Sequence, residues 1–338
     1  MRKFVAALLC SAAFSLPAFA DVAYVSNEKG GVSVIDLASL TITKEFDIGG
    51  KTPRGIAVTK DGAYVLTANK ETDDVSVIDT KTGAVVHRIV VGDGPEFLRI
   101  LGDHAYVTHE PGGRREEGKA EVPEKAGESA EISEIDLKTW KVTKSIKSGL
   151  ETEGMEFSKD GKYVIATNEG DETISVYDRK NGEHVKTLST REQGKRPRGI
   201  KAMPDGSGYV VSQEGSSTLL ILDAKFNIVK SVSTKTGPYG LAFDPTGKYL
   251  LVAASRASTL QVFDAKTFEV VKEVELGMRC WHFTYTPDGS KILAACGRSN
   301  DLRVIDAKDF TVGAPIPDAK MPWGVVTYPK SYGSLDTP

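Results

Sequence analysis

Val32-Ser33-Val34-Ile35-Asp36 returns almost unchanged as Val75-Ser76-Val77-Ile78-Asp79, and the same apolar run ending in Asp closes at Asp136, Asp178, Asp223, Asp264 and Asp306. The spacings between these aspartates are 43, 57, 42, 45, 41 and 42 residues. A period in the low forties, built of short alternating strands, is the signature of a propeller blade. Around each Asp the grammar is constant. An inner strand such as Gly55-Ile56-Ala57-Val58 leads to a turn at Gly62, and Gly161, Gly206, Gly247 and Gly289 hold the same place in other units. Glycine there supplies the positive φ of a tight hairpin. A second strand follows, then the strand ending in Asp, then an outer strand such as Val85–Val90. Each Asp is expected to cap its own turn by accepting backbone N–H groups two or three residues on.

The chain enters this cycle in mid-unit, at the second strand Ala23–Asn27, and finishes on a lone first strand, Pro322–Tyr328. Joined, the two pieces complete a unit. The expected fold is therefore an all-β, seven-bladed β-propeller with four antiparallel strands per blade, its ring closed by the last strand joining the first blade. Such closure leaves no long strand edge unpaired. The expected organisation is a propeller over 21–329 followed by a polar tail over 330–338.

The first twenty residues read differently. Arg2 and Lys3 precede the apolar stretch Phe4–Leu16, and Ala18 and Ala20 frame a signal-peptidase site. The pattern is that expected of a cleavable secretory signal over 1–20, and the expected location is a bacterial periplasm. Formal charge is −3; without Arg2 and Lys3 it is −5, with 41 basic against 46 acidic residues. No basic excess points to nucleic acid, and no apolar run after the signal is long enough to span a bilayer. The expectation is a monomer whose partner is a small organic ligand or a periplasmic protein.

Ala23-Tyr24-Val25-Ser26-Asn27, the Val-Ser-Val-Ile-Asp runs, Pro53-Arg54-Gly55-Ile56-Ala57 and Pro322-Trp323-Gly324-Val325 resemble the bacterial YVTN-type seven-bladed propellers. Residues 277–328 resemble the exported subgroup associated with quinoprotein (PQQ-dependent) alcohol catabolism. The resemblance implies a periplasmic propeller serving beside an alcohol-oxidising quinoprotein, and the wider superfamily includes lactonases and the haem-d1 domain of nitrite reductases. The third unit departs from the pattern: Tyr106-Val107-Thr108-His109 replaces the usual terminal Asn, and an insert over 110–131 follows. The insert has seven acids, four bases and two prolines. It cannot bury a core of its own, and it is expected on the face that carries the channel mouth.

The seven copies stop agreeing at that face. The residue at the head of each inner strand is Arg54, Glu96, Glu153, Arg198, Tyr239, Trp281 or Trp323. The polar ends of the second strands, Asn27, Asn69, His109 and Asn168, are assigned to the same mouth. Charge on four consecutive blades and aromatic rings on three could hold an amphipathic organic molecule. The competing reading is rim packing and ion pairs that close the channel end.

Cys280 and Cys296 lie near each other in one hairpin, with Met278 and His282 beside them. Three readings stand open: a disulfide, two free thiols, or a copper site of thiolate, imidazole and thioether. No firm metal ligand set and no catalytic set is assigned. The chain contains no Cys-x-x-Cys-His haem attachment, no Gly-x-Ser-x-Gly elbow and no Walker loop. The expectation is a non-catalytic binding or scaffold propeller, with a lactonase-like hydrolase or a copper- or cofactor-binding redox accessory as the alternatives.

Overall fold

A computed structural model describes residues 21–111 and 129–336. Residues 1–20, where the signal is expected, and residues 112–128 of the insert lie outside the described residues. Seven sheets of four strands form a ring, and the described residues contain no α-helix. Blade 1 combines β1 (Val22–Asn27), β2 (Val32–Asp36) and β3 (Thr41–Phe46) with the late strand β27 (Pro322–Tyr328). Blade 2 is β4–β7 (Pro53–Val58, Tyr64–Asn69, Asp74–Asp79, Val85–Val90), and blade 3 is β8–β11 (Pro95–Leu101, His104–His109, Glu131–Asp136, Lys141–Lys147). Blade 4 is β12–β15 (Thr152–Phe157, Tyr163–Asn168, Thr173–Asp178, His184–Ser189) and blade 5 is β16–β19 (Pro197–Ala202, Gly208–Gln213, Thr218–Asp223, Ile228–Ser233). Blade 6 is β20–β23 (Pro238–Phe243, Tyr249–Ala254, Thr259–Asp264, Val270–Glu275), and blade 7 holds β24–β26 (Cys280–Tyr285, Lys291–Cys296, Asp301–Asp306). A short strand β28 (Tyr332–Gly333) joins blade 7 on the axial side of β24.

The closure anticipated from the sequence is present: β27 pairs antiparallel with β1, Val25 opposite Val325 and Ala23 opposite Thr327. Buried apolar residues from the inner and middle strands fill the spaces between blades, as where Leu66, Val77 and Leu98 pack with Val107. Turn aspartates behave as capping residues. Asp36 accepts the Ser39 N–H at 2.7 Å, Asp79 that of Thr82 at 2.8 Å and Asp306 that of Lys308 at 2.8 Å. Hairpin glycines Gly62 and Gly161 adopt φ of 70° and 67°.

Blade 7 lacks a regular fourth strand. Its outer segment makes two isolated bridges, Leu302 to Ile316 and Ile305 to Val312. Pro315 and Pro317 have no N–H to continue the ladder. A groove of about 580 Å³ opens there, lined by Lys29, Asn300, Asp301, Pro317 and Lys320, at the rim of the ring and away from its axis.

The inner strands crowd the axis. Each of β4, β8, β12, β16, β20 and β24 shifts register near its start, as between Pro53 and Ile56 in β4. The irregularity frees backbone carbonyls from the ladder. Glycine then lets the next blade approach: a Cβ on Gly199 would stand 2.5 Å from the Tyr239 carbonyl oxygen, and one on Gly55 would stand 2.5 Å from the Leu98 nitrogen. Gly55→Ala is therefore expected to lower stability to urea by about 1–3 kcal/mol through overpacking. Gly313→Ala, where the nearest atom lies at 3.6 Å, should leave the unfolding midpoint almost unchanged in the same titration.

Candidate functional site at the channel mouth

Freed carbonyls at the heads of the inner strands are captured by hydroxyls of the preceding blade. Ser26 donates to Arg54 O at 2.5 Å, Thr108 to Glu153 O at 2.8 Å, Thr167 to Arg198 O at 2.5 Å and Ser212 to Tyr239 O at 2.6 Å. These bonds fix the backbone under the very residues that differ from blade to blade. Their side chains converge in two ion-pair chains.

In the first chain, Arg54 bridges Glu28 at 2.7 Å and Glu96 at 2.5 Å. Lys70 carries the chain from Glu96, at 3.1 Å, to Glu110. Three carboxylates thus face two cations. Burial alone would raise Glu96, yet Arg54, Lys70 and Arg198 outweigh it and hold its carboxyl at about 2.

In the second chain, Arg198 serves three carboxylates: Glu153 at 2.5 Å, Glu169 at 2.7 Å and Glu214 at 2.8 Å. Arg196 pairs with Glu169, while Arg256 and Arg279 approach Glu214 at 3.0 and 3.6 Å. Glu214 stays low despite its burial, because four guanidinium groups surround it. Glu153 is driven well above the usual carboxylate range by burial and by the neighbouring Glu110 and Glu96, against the pull of Arg198. The short Arg198 contact and the raised Glu153 pull in opposite directions. Arg198 is shared with Glu169 and Glu214, so its pull on Glu153 does not offset the burial and the two neighbouring carboxylates. Oxygens of Glu96, Glu110 and Glu153 lie within 4.8 Å of one another.

An aromatic wall stands beside the charges. Trp323 and His282 have ring centres 4.2 Å apart, and Tyr239 meets His282 at 5.4 Å and Trp323 at 6.4 Å. Arg198 lies over Tyr239 at 4.8 Å and Arg54 over Trp323 at 6.0 Å. Burial lowers His282 to about 3, so its ring is neutral at ordinary pH. Its Nδ1 bonds Ser334 at 2.9 Å, and its Nε2 has no hydrogen-bond partner among the described residues.

The structure brings Arg54, Glu96, Glu153, Arg198, Tyr239 and Trp323 together as the sequence suggested. Trp281 borders the same apolar cluster but rests its indole on Gly297, where any Cβ would collide with it. Asn27, Asn69, His109 and Asn168 do not face the mouth. They are buried inside their own blades, where Asn27 donates to Ser33, Asn69 to Asp74 and Ser76, and Asn168 to Thr173 and Ser175. His109 is joined to Ser133 at 3.0 Å and lowered to about 4 by burial. The charged residues at the mouth come one position later: Glu28, Lys70, Glu110, Glu169 and Glu214. Successive strand residues face opposite ways, and a step of one exchanges the two faces.

Cys280 and Cys296 are direct register partners and form a disulfide. The alternative copper set is not assembled: the two sulfurs are spent on each other, Met278 is exposed, and His282 turns to the channel wall. Among the described residues no helix is long and apolar enough to cross a membrane.

Residues 125–261 match the family described as Cytochrome D1 heme domain. Of the five histidines, only His184 falls in that stretch, on an outer strand bonded to Thr187. His282, the histidine of an inner strand, is enclosed by Trp323, Tyr239 and Phe97. His184, on its outer strand, is not placed as an axial ligand to a haem in the channel. A stretch of 125 residues is 26% identical to Eukaryotic translation initiation factor 3 subunit I of Emericella nidulans, covering 35% of this chain and 37% of that protein. Among solved structures, Hydrazine Synthase of Kuenenia stuttgartiensis aligns with a TM-score of 0.69 at 23% identity, over 82% of this chain and 89% of that one. A putative 6-phosphogluconolactonase of Bacteroides uniformis aligns at 0.74 and 16% identity, over 91% and 100% of the two chains. The periplasmic gluconolactonase of Pseudomonas aeruginosa aligns at 0.73 and 14%, over 91% and 98%. These structural likenesses establish the propeller scaffold and nothing finer.

Two substitutions separate the roles of the mouth charges. Arg198→Ala removes the cation shared by three buried carboxylates, and the one ion-pair partner that Glu153 has among the described residues, and is expected to cost about 3–5 kcal/mol, read from urea unfolding at pH 7. Glu153→Gln imitates the protonated acid and should cost less than about 1 kcal/mol there. A carboxyl raised on folding contributes stability that is complete below its unfolded value near 4.5 and fades as pH rises through the folded value. Wild type should therefore lose stability relative to Glu153→Gln between pH 5 and pH 8. A constant gap over that range would show that Glu153 is ionised beside Arg198.

Proposed function

We propose that this propeller is a binding protein whose mouth takes a small hydroxylated organic anion. The observation that carries the reading is the division of charge. Blades 1 to 3 contribute Glu28, Glu96 and Glu110 against Arg54 and Lys70, while blades 4 to 7 contribute four guanidinium groups against Glu153, Glu169 and Glu214. Burial pushes the Glu153 and Glu169 carboxyls upward, which weakens the negative charge set against those guanidinium groups. Arg256 and Arg279 keep side-chain exposures of 43% and 23%, and Nη1 of Arg279 is ion-paired but not hydrogen-bonded. A ligand carboxylate would dock on that pair through charge-assisted bonds, and its hydroxyls would reach the carboxylates of the acidic side.

One observation supports a second reading. Glu153 and Glu96 are neighbours pushed to opposite ends of the carboxyl range, as acid and base pairs are in hydrolases. A lactone hydrolase would use protonated Glu153 as the acid, in keeping with the gluconolactonases among the structural neighbours. Against it, both Glu96 oxygens are held by cations, which leaves a weak base, and His109 is committed to Ser133. We assign the protein to a bacterial periplasm on the signal-like residues 1–20. Service beside a quinoprotein alcohol oxidation system is proposed on the resemblance of residues 277–328.

Gluconate and glucono-δ-lactone test both readings. Gluconate is expected to bind the wild type, with affinity falling at least tenfold in Arg256→Ala/Arg279→Ala, by isothermal titration calorimetry. Lactone hydrolysis that disappears in Glu153→Gln would replace the binding reading with the enzymatic one. Unchanged affinity in both the arginine double variant and Trp281→Ala/Trp323→Ala would remove the mouth from consideration as a ligand site.

A further inference from the structure

The polar segment after β27 enters the channel. After β27 the chain turns back and lays β28 along the axial edge of β24, Tyr332 opposite Tyr285 and Gly333 opposite Thr284. Among the described residues no other blade carries a strand inside its innermost one. Ser334 extends the pairing by donating its N–H to Phe283 O at 3.0 Å.

Three consecutive side chains are then read. Ser334 Oγ lies 2.9 Å from His282 Nδ1 and accepts the Phe283 N–H at 3.2 Å. Leu335 is 1% exposed and fits against Gly324, where a Cβ would stand 2.8 Å from Leu335 Cδ1. Asp336 accepts a hydrogen bond from Thr284 at 3.3 Å. Two cations grip the backbone: Lys201 donates to the carbonyls of Gly333, at 3.0 Å, and Asp336, and Arg99 donates to that of Ser334 at 3.1 Å. Arg99 also pairs with Glu156 at 2.6 Å, both side chains fully buried.

The blade itself does not call for these charges. Three positions after each mouth residue stand Ala57, Arg99, Glu156, Lys201, Ala242, Thr284 and Val326, so alanine serves in two blades. Without the segment, Arg99 and Lys201 would face a single carboxylate, Glu156, in a buried layer. An isolated buried cation is costly, and Asp336 brings the second negative group. Burial and the nearby Arg99 already lower Lys201 to about 8.

We propose that the channel below the mouth is a peptide-recognition site for an extended segment of small, apolar and carboxylate residues, filled in cis by Ser334-Leu335-Asp336. Backbone pairing to the free edge of β24 supplies affinity and the three side-chain positions supply selection, as in other strand-addition sites. The site lies on the opposite side of His282 from the mouth charges and is tested independently of them.

The experiment uses the chain ended after Lys330, with folding checked by circular dichroism, and a synthetic peptide of residues 331–338. The peptide is expected to bind the shortened chain with one-to-one stoichiometry in calorimetry, and to bind the intact chain at least tenfold more weakly. Peptide carrying Asp336→Asn, or a shortened chain carrying Lys201→Met, should each lose tenfold or more in affinity. A folded shortened chain that ignores the peptide, or binding indifferent to Lys201→Met, overturns the proposal. Should the shortened chain not fold, amide exchange in the intact protein decides. Asp336→Asn is expected to speed exchange at Ser334 at least tenfold while β20 amides keep their rates, and unchanged exchange at Ser334 refutes the site.

Discussion

The mouth depends on one bond made across blade boundaries: a second-strand hydroxyl donating to the carbonyl of the next blade's first inner residue. A register shift at the head of the inner strand takes that carbonyl out of its own ladder, and a buried carbonyl without a donor costs about 1–3 kcal/mol. Thr167 and Ser212 meet this need for Arg198 and Tyr239. Gly199 removes the Cβ that would block the approach. Blade packing and site geometry are therefore the same contacts. A mouth residue is held at its Cα by the neighbouring blade, and its side chain is left free to vary.

That freedom explains how so many charges can be enclosed at one end of a β ring. Burying a lone carboxylate is prohibitive, but each here has at least one cation within reach, and the cations come from different blades. Arg198 is the keystone of the second chain, with contacts to acids of blades 4 and 5. The sharing is imperfect, and imperfection is what separates Glu153 from Glu96. Glu96 is held by two cations, Arg54 and Lys70, whereas Glu153 pairs only with Arg198, which it shares with Glu169 and Glu214. Two chemically identical acids within 4.8 Å are thereby set to opposite protonation preferences.

Much of this is legible in the sequence. Aspartates at a period of some forty residues gave the blades, and the split first blade gave the closure. The position before each inner-strand glycine led to Arg54, Arg198 and Tyr239. The second contribution to the mouth was misplaced by one residue. Asn27, Asn69 and Asn168 look like the exposed polar ends of strands, yet they are buried caps of the loops above them. Their successors Glu28, Lys70 and Glu169 face the axis. The regular charge at that next position was the available signal, and the alternation of strand faces was the reason to read it. Nothing in residues 331–336 marks them as channel-filling, because their partners Arg99 and Lys201 come from strands far earlier in the chain.

A ring of blades has two ends, and the repeat alone would make them equivalent in burial. Here they are not. On the side of the hairpin glycines the channel receives the segment carrying Ser334, Leu335 and Asp336, anchored to β24, Arg99 and Lys201. On the other side stand the ion pairs, with Arg256 and Arg279 partly exposed. His282 lies between, its Nδ1 committed downward to Ser334 and its ring tilted against the Trp323 wall above. A neutral imidazole with one nitrogen fixed has a defined role left for the other. If Ser334 Oγ–H donates to the Phe283 carbonyl, as its 3.2 Å separation allows, Nδ1 must carry the proton and Nε2 presents a lone pair. In that arrangement the segment does more than fill space: it leaves Nε2 of His282 as the nitrogen that accepts a hydrogen bond, and so ties the stoppered end of the channel to the floor of the mouth.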